Sequence, residues 1–178
     1  LWILWLGVSL PSLLASSLGE QLQARLNLAA IGEEIIVEPG VYEGAFTIER
    51  SVRLIGLPGA VLQGNRQTHV VAVRAPDVEI SGFTIRGSGR ALARDESAIH
   101  VTAPRAVVRN NRILDSLHGI YIRKADNCRI EHNLILGDGV ITSAISDPLA
   151  AGLKPGEAEL CDVETVQDRR GTGIQLWK

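Results

Sequence analysis

Asp77-Val-Glu-Ile-Ser-Gly-Phe-Thr-Ile85, Arg105-Ala-Val-Val-Arg-Asn-Asn-Arg-Ile113 and Asn127-Cys-Arg-Ile-Glu-His-Asn-Leu-Ile135 are three versions of one phrase. A second phrase, small-Ile-x-apolar, runs between them as Ala98-Ile-His-Val101 and Gly119-Ile-Tyr-Ile122, and returns as Gly173-Ile-Gln-Leu176. Ile80 and Val108 are 28 residues apart, Val108 and Ile130 are 22 apart, and Val101 and Ile122 are 21 apart. One period of about 22 residues, lengthened once by an insertion, covers all three spacings, and a fixed period in this range marks a solenoid.

Residue chemistry within each copy selects the kind of solenoid. Apolar and polar residues alternate (Val78 and Ile80, Ala106 and Val108, Ile120 and Ile122), which is the two-residue period of a strand with one buried face. No copy has room for a helix. Three short strands per turn, separated by Gly, Asn and Asp, predict an all-β fold: a right-handed parallel β-helix with coils stacked roughly 4.8 Å apart. Inward columns are expected at Ile80, Val108, Ile130 and at Val101, Ile122, Leu176. Asn111 and Asn133 share a turn position in neighbouring copies, where stacked side-chain amides can bond along the axis. Phe83 takes that slot one coil earlier.

Working towards the N-terminus, Glu34-Ile-Ile-Val37, Val41-Tyr-Glu-Gly44, Phe46-Thr-Ile48, Val52-Arg-Leu-Ile55 and Val61-Leu62 read as further short strands, so the coils span 34–135. Ahead of them, Glu20 to Ala30 carries apolar residues at 22, 26 and 29, a helical stripe. A short helix within 18–33 is expected to cap the open end of the solenoid, which otherwise exposes core and unpaired strand backbone. The uncharged run Leu1 to Leu10, followed by small residues at Ala15 and Ser17, reads as a secretory signal peptide over 1–17, cleaved after Ser17. An uncleaved anchor is the alternative, for which the run is shorter than the roughly 20 residues of a spanning helix. The sequence contains no Met, so its start is read as trimmed.

Towards the C-terminus, the segment Gly87 to Glu96 carries the excess length of the long period and is expected to protrude. Alternation is lost over 136–169, read as an irregular insertion. Arg170 to Lys178 restores the pattern as the start of a further coil, and the native protein is expected to continue. Cys128 aligns with Val78 and Ala106 and reads as a small buried hydrophobe; a bridge to Cys161, the alternative, would pull it from its column.

Outward positions on the small-Ile-x-apolar strands are His100, Tyr121 and Gln175, with Arg123 two residues beyond Tyr121. They are expected to form one exposed face, suited to a partner protein or to sugar rings. A net charge of −2 with no basic stripe argues against nucleic acid. No tight acidic cluster or paired general acid and base stands out, so no catalytic residue is assigned. Soft-metal sites draw on Cys, Met and His. For copper the candidates are His100 and His118, and two nitrogens are fewer than such a site requires.

Glu38-Pro-Gly-Val-Tyr-Glu-Gly44, Phe83-Thr-Ile-Arg-Gly-Ser-Gly89, His118-Gly-Ile-Tyr-Ile-Arg-Lys-Ala-Asp126, Glu131-His-Asn-Leu-Ile135 and Arg170-Gly-Thr-Gly-Ile-Gln-Leu-Trp177 together resemble the NosD family. Its members are periplasmic β-helix proteins within the wider group of carbohydrate-binding and sugar-hydrolase repeats. The resemblance implies a non-enzymatic, periplasmic role in building the copper-sulfur cluster of nitrous oxide reductase, with an ABC-type ATPase and permease as partners. The wider group implies the alternative, binding or modification of a polysaccharide.

Overall fold

The structure, a computed structural model, describes residues 16–137 and 172–177. The signal-peptide reading falls on residues that, up to 15, lie outside the described part, as do 138–169 of the expected insertion and Cys161. The chain winds five turns, each supplying one strand to each of three parallel five-stranded sheets. The first turn holds β1 (Glu33–Val37), β2 (Gly40–Glu43) and β3 (Phe46–Ile48), and the second β4 (Val52–Gly56), β5 (Ala60–Gln63) and β6 (Val71–Val73). The third holds β7 (Glu79–Ser81), β8 (Thr84–Arg86) and β9 (Ser97–Val101), and the fourth β10 (Val107–Arg109), β11 (Arg112–Leu114) and β12 (His118–Arg123). β13 (Arg129–Glu131), β14 (Leu134–Leu136) and β15 (Thr172–Trp177) form the fifth. The segment expected to begin a new coil therefore completes one: β15 stacks on β12 in the third sheet, while β13 and β14 already occupy the other two.

Strand register follows the repeat. Ile35, Leu54, Ile80, Val108 and Ile130 form one column, and Ile48, Val73, Val101 and Ile122 another, with Leu176 paired to Ile122 in the backbone register. A third, Tyr42, Leu62, Ile85, Ile113 and Ile135, fills the remaining sheet. A parallel sheet is hydrogen-bonded only along its stack, so these columns carry the apolar burial that holds the coils together. Outside, opposite charges alternate between coils: Arg53 bridges Glu34 (2.7 Å), and Arg109 bridges Glu79 (2.7 Å).

Short strands demand sharp corners, and the corners repeat as well. Asp77, Arg105 and Asn127, the first residues of the three copies, all have φ near +57° (56°, 60° and 57°). Five residues later Gly82, Asn110 and His132 are again left-handed (81°, 54°, 52°). Gly and Asn tolerate this region readily. At Gly82 a side chain is also excluded by space, because a Cβ would collide with the Gly56 carbonyl one coil below.

Residue 111 sits just inside the second of these corners. Asn111 is 2% exposed; its Nδ2 donates to Asn133 Oδ1 (3.1 Å) and to the Ile80 carbonyl (3.0 Å), and its Oδ1 accepts from the Phe83 amide (3.1 Å). Asn133 in turn donates to the Val108 carbonyl (2.8 Å) and accepts from the Asn111 amide (3.0 Å). Phe83 ends this ladder, and its ring lies where a side chain on Gly56 would otherwise stand.

The N-terminal end is closed by α1 (Leu18–Leu28), which turns Leu22 and Leu26 onto the core. Gly19 lets the helix rest directly on the β2 backbone, since a Cβ there would overlap the Glu43 carbonyl. Gln23 then replaces a missing strand: its amide accepts from Thr47 N (2.8 Å) and donates to Thr47 O (3.0 Å) on β3. The helix begins with a capping box, Ser17 accepting from the Glu20 amide and Glu20 from the Ser17 amide. It ends five residues before the expected limit of 33, as Gly32 turns left-handed (80°) and β1 starts at Glu33. Among the described residues no helix is long and apolar enough to cross a membrane.

Cys128 is half-buried against the core, short of the full burial its alignment with Val78 implied, because its coil is the outermost of its sheet.

Candidate functional site

Among the described residues, the ring contacts gather on the third sheet. His100 pairs with Tyr121 and Tyr121 with Gln175 in the strand register, and Arg123 with Trp177, so the anticipated row of residues is present in the backbone. Its exposure is not as anticipated. Tyr121 is only 3% exposed, and every residue from His118 to Ile122 is buried; Arg123 alone in β12 is open to solvent. Elsewhere the strands alternate between buried and accessible positions, as in β4 and β6.

The cause is the insertion between β8 and β9. Rather than simply protruding, it turns through a short 3-10 helix, Leu92–Arg94, and folds back over the sheet. Asp95, left-handed at φ 52°, holds the Tyr121 hydroxyl, which donates to its carboxylate. Glu96 is 1% exposed and accepts from the Ala91 amide (2.7 Å) and from Arg94 Nε (2.7 Å) and Nη2 (2.6 Å). Its carboxylate lies flat against Gly89, where a Cβ would displace it. Leu92 and the Arg90 and Arg94 side chains form the outer surface of this roof.

Under it the rings stack. His69 and His100 have centroids 4.0 Å apart, His100 and Tyr121 are stacked at 5.1 Å, and His118 and Tyr121 are 5.8 Å apart. His69, Asp95 and Glu96 are the members that sequence reasoning missed. A signal for His69 was present: it lies 28 residues before its hydrogen-bonding partner Ser97, the same long period that separates Ile80 from Val108.

Electrostatics under the roof favour neutral imidazoles. Burial pushes the His100 pKa down to about 4, with His69 adding to the effect and Asp95 opposing it. Burial also lowers His69, against the pull of Glu96 and Asp95, and lowers His118. Tyr121 is raised, by burial first and then by its bond to Asp95 and that carboxylate's charge. Burial alone would raise Glu96, but the Ala91 amide and Arg94 outweigh it and hold the carboxyl below its usual range.

The Ser97 amide donates to His69 Nδ1 (3.2 Å), so in the neutral ring Nε2 carries the proton and has no lone pair for a metal. His100 Nδ1 is buried without a hydrogen-bond partner. His100 and His118 do not converge with a third ligand: among the described residues no group of three or more His, Cys, Asp or Glu is placed to hold an ion. What the arrangement offers is a desolvated stack with the exposed side chains of Arg123 and Lys124 at its edge.

Comparison with curated proteins finds a relative in Stutzerimonas stutzeri, described as a probable ABC transporter binding protein NosD, 34% identical over 106 residues. This covers 58% of the present chain and 24% of that relative. The chain is a NosD-like β-helix protein. A protein of the same description in Pseudomonas aeruginosa is 28% identical over 125 residues, 64% of this chain and 29% of its own length. The NosD-like chain thus spans about a quarter of the length of the curated relatives it matches. No family model and no solved structure matches it.

Proposed function

We propose that this NosD-like chain belongs to an exported accessory protein that helps assemble the copper-sulfur cluster of nitrous oxide reductase, working outside the cytoplasm, in the periplasm, with an ABC-type ATPase and permease. The similarity to the Stutzerimonas stutzeri protein carries the reading. That relative's description as an ABC transporter binding protein supports the transporter partnership. The site supports an accessory role over an enzymatic one, because its carboxylates are already committed, Asp95 to Tyr121 and Glu96 to Arg94 and the Ala91 amide. Copper is cargo of the assembly rather than a resident ion. The contact surface centres on Arg123 and Lys124, both exposed at the corner leaving β12.

A polysaccharide ligand finds less support. Sugar-binding faces present open aromatic rings, whereas among the described side chains the Tyr and Phe rings are all buried: Tyr42 9%, Phe46 2%, Phe83 1% and Tyr121 3% exposed.

Deletion in a denitrifying host provides the test. The mutant is expected to export a folded nitrous oxide reductase that lacks the absorption of the copper-sulfur centre. Arg123→Glu with Lys124→Glu is expected to reproduce part of that defect while leaving the β-helix folded. Fully metallated, active reductase in the deletion strain would overturn the proposal, and binding of the purified protein to acidic polysaccharide would then favour the alternative.

A further inference from the structure

The insertion between β8 and β9 closes over imidazoles that it partners only in part. Its attachments are polar: Asp95 on Tyr121, Glu96 within the loop, Arg90 Nη2 on Asp115 Oδ1 (2.7 Å), the Gly89 amide on the Thr68 carbonyl (2.8 Å), and Arg94 Nη2 on the Gln67 carbonyl (3.4 Å). No large apolar side chain of the roof is buried, since Leu92, its one large hydrophobe, is 59% exposed. Beneath it His69 and His100 lie ring to ring at 4.0 Å, and His100 Nδ1 is closed off from water with no acceptor for a proton.

We propose that residues 90–96 form an acid-released latch: closed over the His69, His100 and Tyr121 stack at neutral pH, and opened when the stacked imidazoles take up protons, which exposes that face. The proposal does not depend on the maturation reading. A proton on His100 Nδ1 would need water or a carboxylate, and the imidazole of His69 beside it opposes a second charge. Opening the latch supplies the water. Two carboxylates face the pair, Asp95 towards both rings and Glu96 towards His69, and they moderate the response; Arg74, Arg123 and His118 act in the opposite sense. Asp95 is committed to the Tyr121 hydroxyl and Glu96 to Arg94 and the Ala91 amide, which limits what either can give to a charged imidazole.

The sign follows from linkage. A His whose pKa is depressed in the closed form leaves the open form binding more protons, so closure is fully favoured above the ordinary value of 6.5 and weakens as pH falls from there towards about 4. His100 alone then raises the open-to-closed ratio about 30-fold at pH 5 relative to pH 8.

Amide hydrogen exchange on the whole chain tests this, with rates corrected for the intrinsic effect of pH and the β7 and β10 strands as internal reference. Protection of 90–96 is expected to fall about 30-fold or more between pH 8 and pH 5 while the reference strands stay protected. In the His69→Gln, His100→Gln double variant the fall should shrink at least about 10-fold relative to wild type, what remains being the part of His118. Equal protection of the wild-type loop at both pH values, or an undiminished response in the double variant, would overturn the latch, the latter by placing the response on Glu96 or His118. Should the variant fold poorly, the carbon resonances of the His100 ring in the wild type decide: titration near 6.5 with the loop still protected overturns it, and titration well below 6.5 in step with loop opening supports it.

Discussion

Asn111→Ala removes the centre of the amide ladder, and its cost can be worked from the structure. Five hydrogen bonds involve this residue, three of them through its side chain: from the Phe83 amide, to the Ile80 carbonyl and to Asn133 Oδ1. The bond from its own amide to Asn133 survives the substitution. What is lost is the acceptor for the Phe83 N–H and one donor to the Ile80 carbonyl, in surroundings where Asn111 itself is 2% exposed. A buried group left unsatisfied costs about 1–3 kcal/mol, so the variant is expected to lose about 2–4 kcal/mol. Asn111→Asp should cost more: the carboxylate still accepts from Phe83 but faces the Ile80 carbonyl and Asn133 Oδ1 with no hydrogen to give. Urea unfolding followed by far-UV circular dichroism measures both, with Arg112→Ala, exposed on the next position, as a control expected within about 0.5 kcal/mol of wild type. An Asn111→Ala midpoint no different from that of Arg112→Ala would refute the ladder as a stabilising feature.

Further outcomes follow from the same packing. Ile122→Asp should prevent cooperative folding, since it forfeits about 1.5–3 kcal/mol of burial and adds a desolvated carboxylate, whereas Arg123→Asp at the exposed next position should stay within about 0.5 kcal/mol; equal losses would contradict the register. Gly89→Ala should push the Glu96 carboxylate out of place and speed amide exchange in 90–96 at neutral pH without changing it in β10, read by hydrogen exchange. Ser17→Ala should cost about 1 kcal/mol in thermal or urea unfolding through loss of the helix cap. For the same reason, N-terminal sequencing of exported protein is expected to find Ser17 retained, with processing upstream of the site that small-residue spacing alone suggests.

The sequence by itself determined the repeating architecture, because a β-helix coil is a local object copied at a fixed spacing. Val108 could be matched to Ile80 and Ile130, and Asn111 to Asn133, from the period alone, and the structure pairs the same residues. The capping helix was legible for a similar reason: Leu22, Leu26 and Ala29 form one stripe whatever the helix packs on. The candidate site was legible only as a row. His100, Tyr121 and Gln175 share a register that alternation reveals, but alternation says which way a side chain points and not what lies beyond it. Only the tertiary structure decided that Tyr121 is buried, because the residues that cover it belong to an insertion outside the repeat. No period locates Asp95 over Tyr121 or Glu96 against Gly89; those placements depend on a left-handed turn and on side-chain bonds that form once the coils are stacked. Depressed imidazole basicity belongs to the same level, since desolvation is a property of the closed roof and not of any residue type.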